Sequence, residues 1–122
     1  MLFLGTTTPL GSAGTWDSSV NSYPGYVAQT NYQMTLQGTL FSDHDGTLYI
    51  DQGGQVITQT QYALTVDWDY TITIAYTGGT GITINEPVNS PYIRLRYLNG
   101  SSAQTAFRLL CSLNDTGSGE PG

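Results

Sequence analysis

The side chains in this sequence best suited to chemistry are few, and most lie where the chain turns. His44 is the only histidine and stands between Asp43 and Asp45, with Asp51 beyond. That grouping raises a calcium site, a zinc site or a general base. Zinc requires three or four ligands, usually His or Cys, and this chain has one of each. A calcium loop spreads its oxygens over about twelve residues, which Asp43 and Asp45 alone do not supply. Asp, His and Gly are all at ease in turns, so the simpler reading of Asp43-His44-Asp45-Gly46 is a turn that holds no metal. A Ser-His-Asp triad would need a nucleophile elbow and a partner to orient the histidine; neither is evident. Paired carboxylates for sugar hydrolysis would have to come from Asp67, Asp69 and Glu86, but the first two flank Trp68 in an expected hairpin loop and serve the turn. Cys111, the sole cysteine, excludes an intrachain disulfide. It alternates with Phe107, Leu109 and Leu113, as a small buried hydrophobe does. The expectation is a domain without catalytic residues, cofactor or metal, and not an enzyme.

Binding is the chemistry that remains. Tyr49 and Tyr92 fall on outward faces and Trp68 in a loop, and exposed aromatic rings stack on sugars; Tyr49 and Trp68 are the candidate glycan contacts. Tyr32, Tyr62, Tyr70 and Tyr76 fall on core faces, where aromatics are ordinary strand residues. Arg94, Arg96 and Arg108 are the only basic residues. Arg94 and Arg96 share the outward face of one strand, and an odd-length loop would bring Arg108 beside them. The resulting patch, rimmed by Tyr92 and Leu110, reads either as cross-strand support for local acids or as a docking face for an acidic neighbour.

Charge excludes one class of partner. Three basic residues against nine acids give a formal net charge of −6, and a nucleic-acid binder needs a basic stripe. An acidic surface facing solvent is the better fit. Met1-Leu2-Phe3-Leu4 is too short, and too poor in basic residues, for a signal peptide. No stretch approaches the roughly twenty apolar residues of a membrane span. A soluble protein made in the cytoplasm, with no nucleic-acid or membrane partner, is expected.

The elements that would position these residues are strands. Period-two alternation runs through Tyr32–Leu40, Leu48–Ile50, Tyr62–Val66, Tyr70–Tyr76, Ile82–Ile84, Ile93–Tyr97 and Phe107–Leu113, the mark of strands with one wet face. Turn signals separate them: Asp43 to Gly46, Gln52-Gly53-Gly54, Asp67 to Asp69, Gly78 to Gly81 and Asn99-Gly100. This predicts an all-β fold: a single antiparallel β-sandwich, jelly-roll-like or Ig-like, of about eight strands over residues 15–113. Parity predicts odd loops at His44-Asp45-Gly46 and Leu98-Asn99-Gly100, the latter with Gly100 left-handed, so that both flanking strands face one core. Residues 1–14 read as a frayed end followed by an edge strand near Thr15, or as an extended arm anchored on a neighbour by Leu2, Phe3 and Leu4. Residues 114–122 read as a flexible tail.

Two stretches carry a resemblance. Gly38-Thr39-Leu40-Phe41-Ser42-Asp43-His44-Asp45-Gly46-Thr47-Leu48-Tyr49-Ile50 is a strand, a short acidic turn and a Gly-Thr-Leu-Tyr-Ile strand. Pro91 to Leu109 contains Tyr92-Ile93-Arg94-Leu95-Arg96-Tyr97, then Asn99-Gly100, then Gln104 and Phe107-Arg108-Leu109. Together they resemble a recurrent β-sandwich domain of tailed-bacteriophage structural proteins, over about a third of the chain; the segment from Gln52 to Asp69 is longer than that pattern and lacks its Asp-Gly turn. The resemblance implies a virion component on the capsid surface: a decoration or cement protein, or else a receptor- or carbohydrate-binding module of a head fibre or tail. It also implies the partners, namely the major capsid protein and copies of this chain, with a homotrimer as the expected assembly. Leu2, Phe3, Leu4, Tyr92, Arg94, Arg96 and Arg108 are the candidate contacts.

Overall fold

Among the described residues every pairing between strands is antiparallel and no segment is helical. The computed structural model describes residues 2–18, 28–29, 34–53, 55–59, 64–88 and 92–115. The strands in chain order are β1 (Leu2–Thr6), β2 (Thr15–Asp17), β3 (Ala28–Gln29), β4 (Met34–Ser42), β5 (Gly46–Gly53), β6 (Gln55–Gln59), β7 (Leu64–Asp67), β8 (Tyr70–Tyr76), β9 (Ile82–Val88), β10 (Tyr92–Asn99) and β11 (Phe107–Asp115). One sheet has the order β1-β11-β4-β9 and the other β2-β10-β5-β8, with the two-residue β3 also paired to β10. Strands β6 and β7 form a separate hairpin with a register shift between Val56 and Thr58. The expected β-sandwich is the observed architecture.

Alternation explains the layering. Leu36 and Leu40 of β4, Ile84 and Val88 of β9, and Phe107, Leu109, Cys111 and Leu113 of β11 are buried from one sheet. Leu48 and Ile50 of β5, Ile93, Leu95 and Tyr97 of β10, and Tyr76 of β8 meet them from the other. The Tyr97 and Phe107 rings lie 4.9 Å apart across the layers. Burial pushes the Cys111 thiol up to about 12, as suits a core position.

Several expectations are corrected. The turns at residues 43–45 and 100–106 are not hairpin loops: β4 and β5 belong to opposite sheets, as do β10 and β11. Each turn is a corner that carries the chain over the core. Parity is satisfied either way, because residues facing a shared core lie on one side in a hairpin and face each other in a sandwich. Among the described glycines only Gly79 has positive φ (84°), so Gly100 is not left-handed. Residues 2–6 are not an arm. They form β1 along β11, pairing Leu4 with Cys111, and the Leu4 side chain is 2% exposed within the core. Asn114 and Asp115, expected in the tail, complete β11 opposite Thr35 and Met34. Tyr70 is exposed (61%), not a core residue. The Leu2 and Phe3 side chains, Tyr32 and Tyr62 lie outside the residues described.

The corners are knitted together by side chains. Asp43 accepts hydrogen bonds from the Thr105 and Ala106 N–H groups (3.1 and 3.2 Å) and from the Thr105 hydroxyl. Gly78 N–H donates to Asp45 Oδ1 at 2.7 Å. Buried Asn99 donates Nδ2–H to the carbonyls of Gly11 (2.7 Å) and Ser102 (2.8 Å), and Gln104 Oε1 accepts from Leu10 N–H (2.7 Å). Residues 7–14 thereby strap this end of the sandwich. The buried Tyr76 hydroxyl accepts from Ser42 N–H (2.9 Å) and is also bonded to the Thr80 carbonyl. Connections across a sandwich leave backbone groups without ladder partners, and these side chains satisfy them.

Candidate binding face

The outer face of the five-stranded sheet gathers most of the residues singled out by sequence. Strand β10 alternates strictly, with Ile93, Leu95, Tyr97 and Asn99 buried and Tyr92, Arg94 and Arg96 half-buried on the outside. Its register with β5 sets Arg94 opposite Asp51 and Arg96 opposite Tyr49. On the far side of β5, Thr71 of β8 stands opposite Asp51 and Thr73 opposite Tyr49. On the far side of β10, Asp17 of β2 stands opposite Arg96.

Asp51 is the hub. Its Oδ2 accepts from Arg94 Nε at 2.7 Å and from Arg96 Nε at 2.6 Å. Its Oδ1 accepts from Thr71 Oγ1 at 2.6 Å and from an Arg96 terminal nitrogen at 3.1 Å. The side chain is only 1% exposed. Burial alone would raise this carboxyl. Hydrogen bonds from Arg96, Thr71 and Arg94, with the charge of Arg94, outweigh it and hold the carboxyl below its ordinary value. The same pairing raises Arg96. Arg94 also approaches Asp17 Oδ2 at 3.6 Å.

Each guanidinium donates to this carboxylate and lies over an aromatic ring. Arg94 lies 4.7 Å from the Trp68 ring centroid, and Arg96 lies 4.5 Å from that of Tyr49. Planar guanidinium groups stack well on aromatic faces. The result is two arginine–aromatic pairs fixed in place around one carboxylate. Next to them a groove of about 310 Å³ runs between Thr15 and Asp17 of β2, Tyr49 of β5, and Arg96 and Leu98 of β10.

The structure separates what parity had joined. Arg108 lies on the outer face of the other sheet, opposite Phe41, with its guanidinium 4.6 Å from that ring. The expected patch of three arginines therefore holds only two, and Asp51 and Asp17 balance their charge. Tyr92 lies on the same face of β10, and Trp68 joins it through Arg94. Leu4 is a core residue. The acids near His44 are occupied in bracing loops, and its Nε2 is 3.7 Å from Asp43 Oδ2. Among the described residues no three His, Cys, Asp or Glu side chains are grouped to hold a metal ion. The role of Asp51 was not anticipated from sequence; its signal was a lone acid on the wet face of β5, two residues from Tyr49.

A family model described as "Uncharacterised protein YqxG N-terminal domain" matches residues 1–114. The chain belongs to the YqxG N-terminal domain family. The match reaches Asn114 in β11 and so takes in both sheets and the candidate face. No curated protein and no solved structure matches the chain.

Proposed function

We propose that the YqxG N-terminal domain described here is a non-enzymatic structural module of a phage particle, seated on the outer capsid surface as a decoration or cement subunit. Its contact with a neighbouring subunit would be the outer face of the five-stranded sheet. The observation that carries this reading is the pair of arginine–aromatic stacks, Arg94 on Trp68 and Arg96 on Tyr49, locked by Asp51. Arg, Tyr and Trp are the residues that most often anchor protein interfaces. Held in advance by Asp51, these side chains lose little rotamer freedom on docking. The acidic, lysine-free composition suits a surface facing solvent. Two of the segments that carry the resemblance to phage sandwich domains, Tyr92 to Tyr97 and Gly46 to Ile50, help to build this face.

Charge reversal at Arg94 and Arg96 would test folding more than docking, because it would set two more carboxylates beside buried Asp51. The aromatic members make a cleaner test. With particles stripped of the protein, Tyr49→Ala combined with Trp68→Ala is expected to reduce co-sedimentation at least tenfold, about 1.4 kcal/mol or more, in a variant that keeps its β-sheet circular dichroism and cooperative unfolding. Undiminished binding by a folded variant contradicts the assignment.

The groove beside Tyr49 supports a second reading, a carbohydrate-binding module of a head fibre or tail. It offers Arg96 and Asp17 as hydrogen-bonding groups next to an aromatic ring. Arg96 already occupies one face of that ring, which leaves less of it for a sugar. Quenching of tryptophan fluorescence by oligosaccharides from the host surface, lost in Tyr49→Ala, would favour this reading over the first.

A further inference from the structure

A sheet edge offers unpaired N–H and C=O groups to any passing strand, so exposed edges normally carry features that discourage pairing. Most of the edges here do. The β10 edge is covered by β2 and β3, of three and two residues. Strand β1 has five residues with Gly5 among them. Strand β9 has Glu86 on its core-facing row and Pro87, which lacks an N–H.

Strand β8 has no such feature. It is seven residues long, Tyr-Thr-Ile-Thr-Ile-Ala-Tyr, with no charge, proline or glycine. It pairs with β5 along its whole length, and among the described residues no strand lies on its other side. Its core-facing Ile72 and Ile74 are only half-buried, while Tyr70, Thr71, Thr73 and Ala75 are exposed. Its sequence also reads almost identically in both directions about Thr73.

We propose that β8 pairs antiparallel with β8 of a second copy of this chain, across a two-fold axis at Thr73. The palindromic sequence selects this occupant. Tyr70 would stand opposite the partner's Tyr76, Thr71 opposite the partner's Ala75, Ile72 opposite the partner's Ile74, and Thr73 opposite its own equivalent. Matched aliphatic and threonine pairs stabilise antiparallel strands, and no like charges are brought together even though each chain carries a net −6. Such a contact uses the same patch on both copies and closes on itself. Antiparallel neighbours are related by an axis perpendicular to the sheet, so the two binding faces would lie side by side on one continuous surface. This inference does not rest on the phage reading.

Sedimentation equilibrium of the full chain over a concentration series tests it, together with three variants. The wild type is expected to show a monomer–dimer equilibrium. Thr73→Lys, which sets two ammonium groups face to face at the axis, should weaken dimerisation about tenfold or more and keep the β-sheet circular dichroism. Thr83→Lys on the β9 edge should leave dimerisation unchanged. Thr73→Cys should form an inter-subunit disulfide on oxidation, since residues directly opposed in such a pair have Cα atoms about 4.5–5.5 Å apart, within the span a disulfide bridges, and the native Cys111 is buried. A chain that stays monomeric throughout overturns the proposal. So does a dimer that withstands Thr73→Lys and fails to cross-link through Thr73→Cys.

Discussion

Asp51 concentrates four hydrogen bonds on one buried carboxylate, and removing it leaves two guanidinium groups stacked on aromatic rings with Asp17 as their remaining counter-charge. Hydrogen bonds to charged groups contribute about 1.5–3 kcal/mol each in net terms. Solvent reaches both arginines, so Asp51→Ala is expected to cost about 2–3 kcal/mol in all, read as a lower denaturant midpoint. The same carboxylate shapes acid stability, together with Asp43. Hydrogen bonds from Thr105 and Ala106 hold Asp43 at about 2, below its ordinary 3.8. A carboxyl depressed in the folded state contributes stability that is complete above its unfolded pKa and is lost as pH falls through the folded one. Stability should therefore hold down to about pH 4 and fall between pH 4 and 2. Asp43→Asn should flatten that limb, and an unchanged acid titration of unfolding would contradict this role. Gly46 acts sterically: a Cβ there would lie 2.6 Å from Tyr97 Cζ. Gly46→Ala must displace the Tyr97 ring and should cost about 1–3 kcal/mol by overpacking, again visible in denaturant unfolding.

Strands, unlike their connections, could be read from alternation. Every described apolar run from Leu36 to Leu113 falls in a strand, and the faces inferred for β4, β5, β10 and β11 are the observed ones. The corners escaped because alternation specifies which side of a strand is dry and says nothing about which sheet it joins. The misplacement of Arg108 follows from that single ambiguity. Tyr70 failed for another reason: it starts an edge strand, where the core-facing row runs out of partners. Strand β1 escaped because Leu2-Phe3-Leu4 at a chain end looks the same whether it serves its own core or a neighbour. Its observed pairing makes a prediction at this scale. Leu4→Ala should destabilise the isolated domain by about 2–5 kcal/mol; an arm that served only a neighbour would leave the isolated domain unaffected.

At the scale of the whole molecule, the two sheets present different outer faces. One carries Arg108 on Phe41; the other carries the Asp51 hub, the two arginine–aromatic stacks and the groove beside Tyr49. The acids outnumber the bases three to one, yet on the second face Asp17 and Asp51 only match Arg94 and Arg96. A nearly neutral, preorganised face on an otherwise acidic body favours a docked orientation with that face inward and the charged remainder toward water. A cryo-electron-microscopy reconstruction of particles assembled with this protein measures that orientation directly. The expected density places the domain on the outer capsid surface with Tyr49, Trp68, Arg94 and Arg96 against a neighbouring subunit. Density with that face turned to solvent, or particles in which the domain is absent, would contradict the proposal.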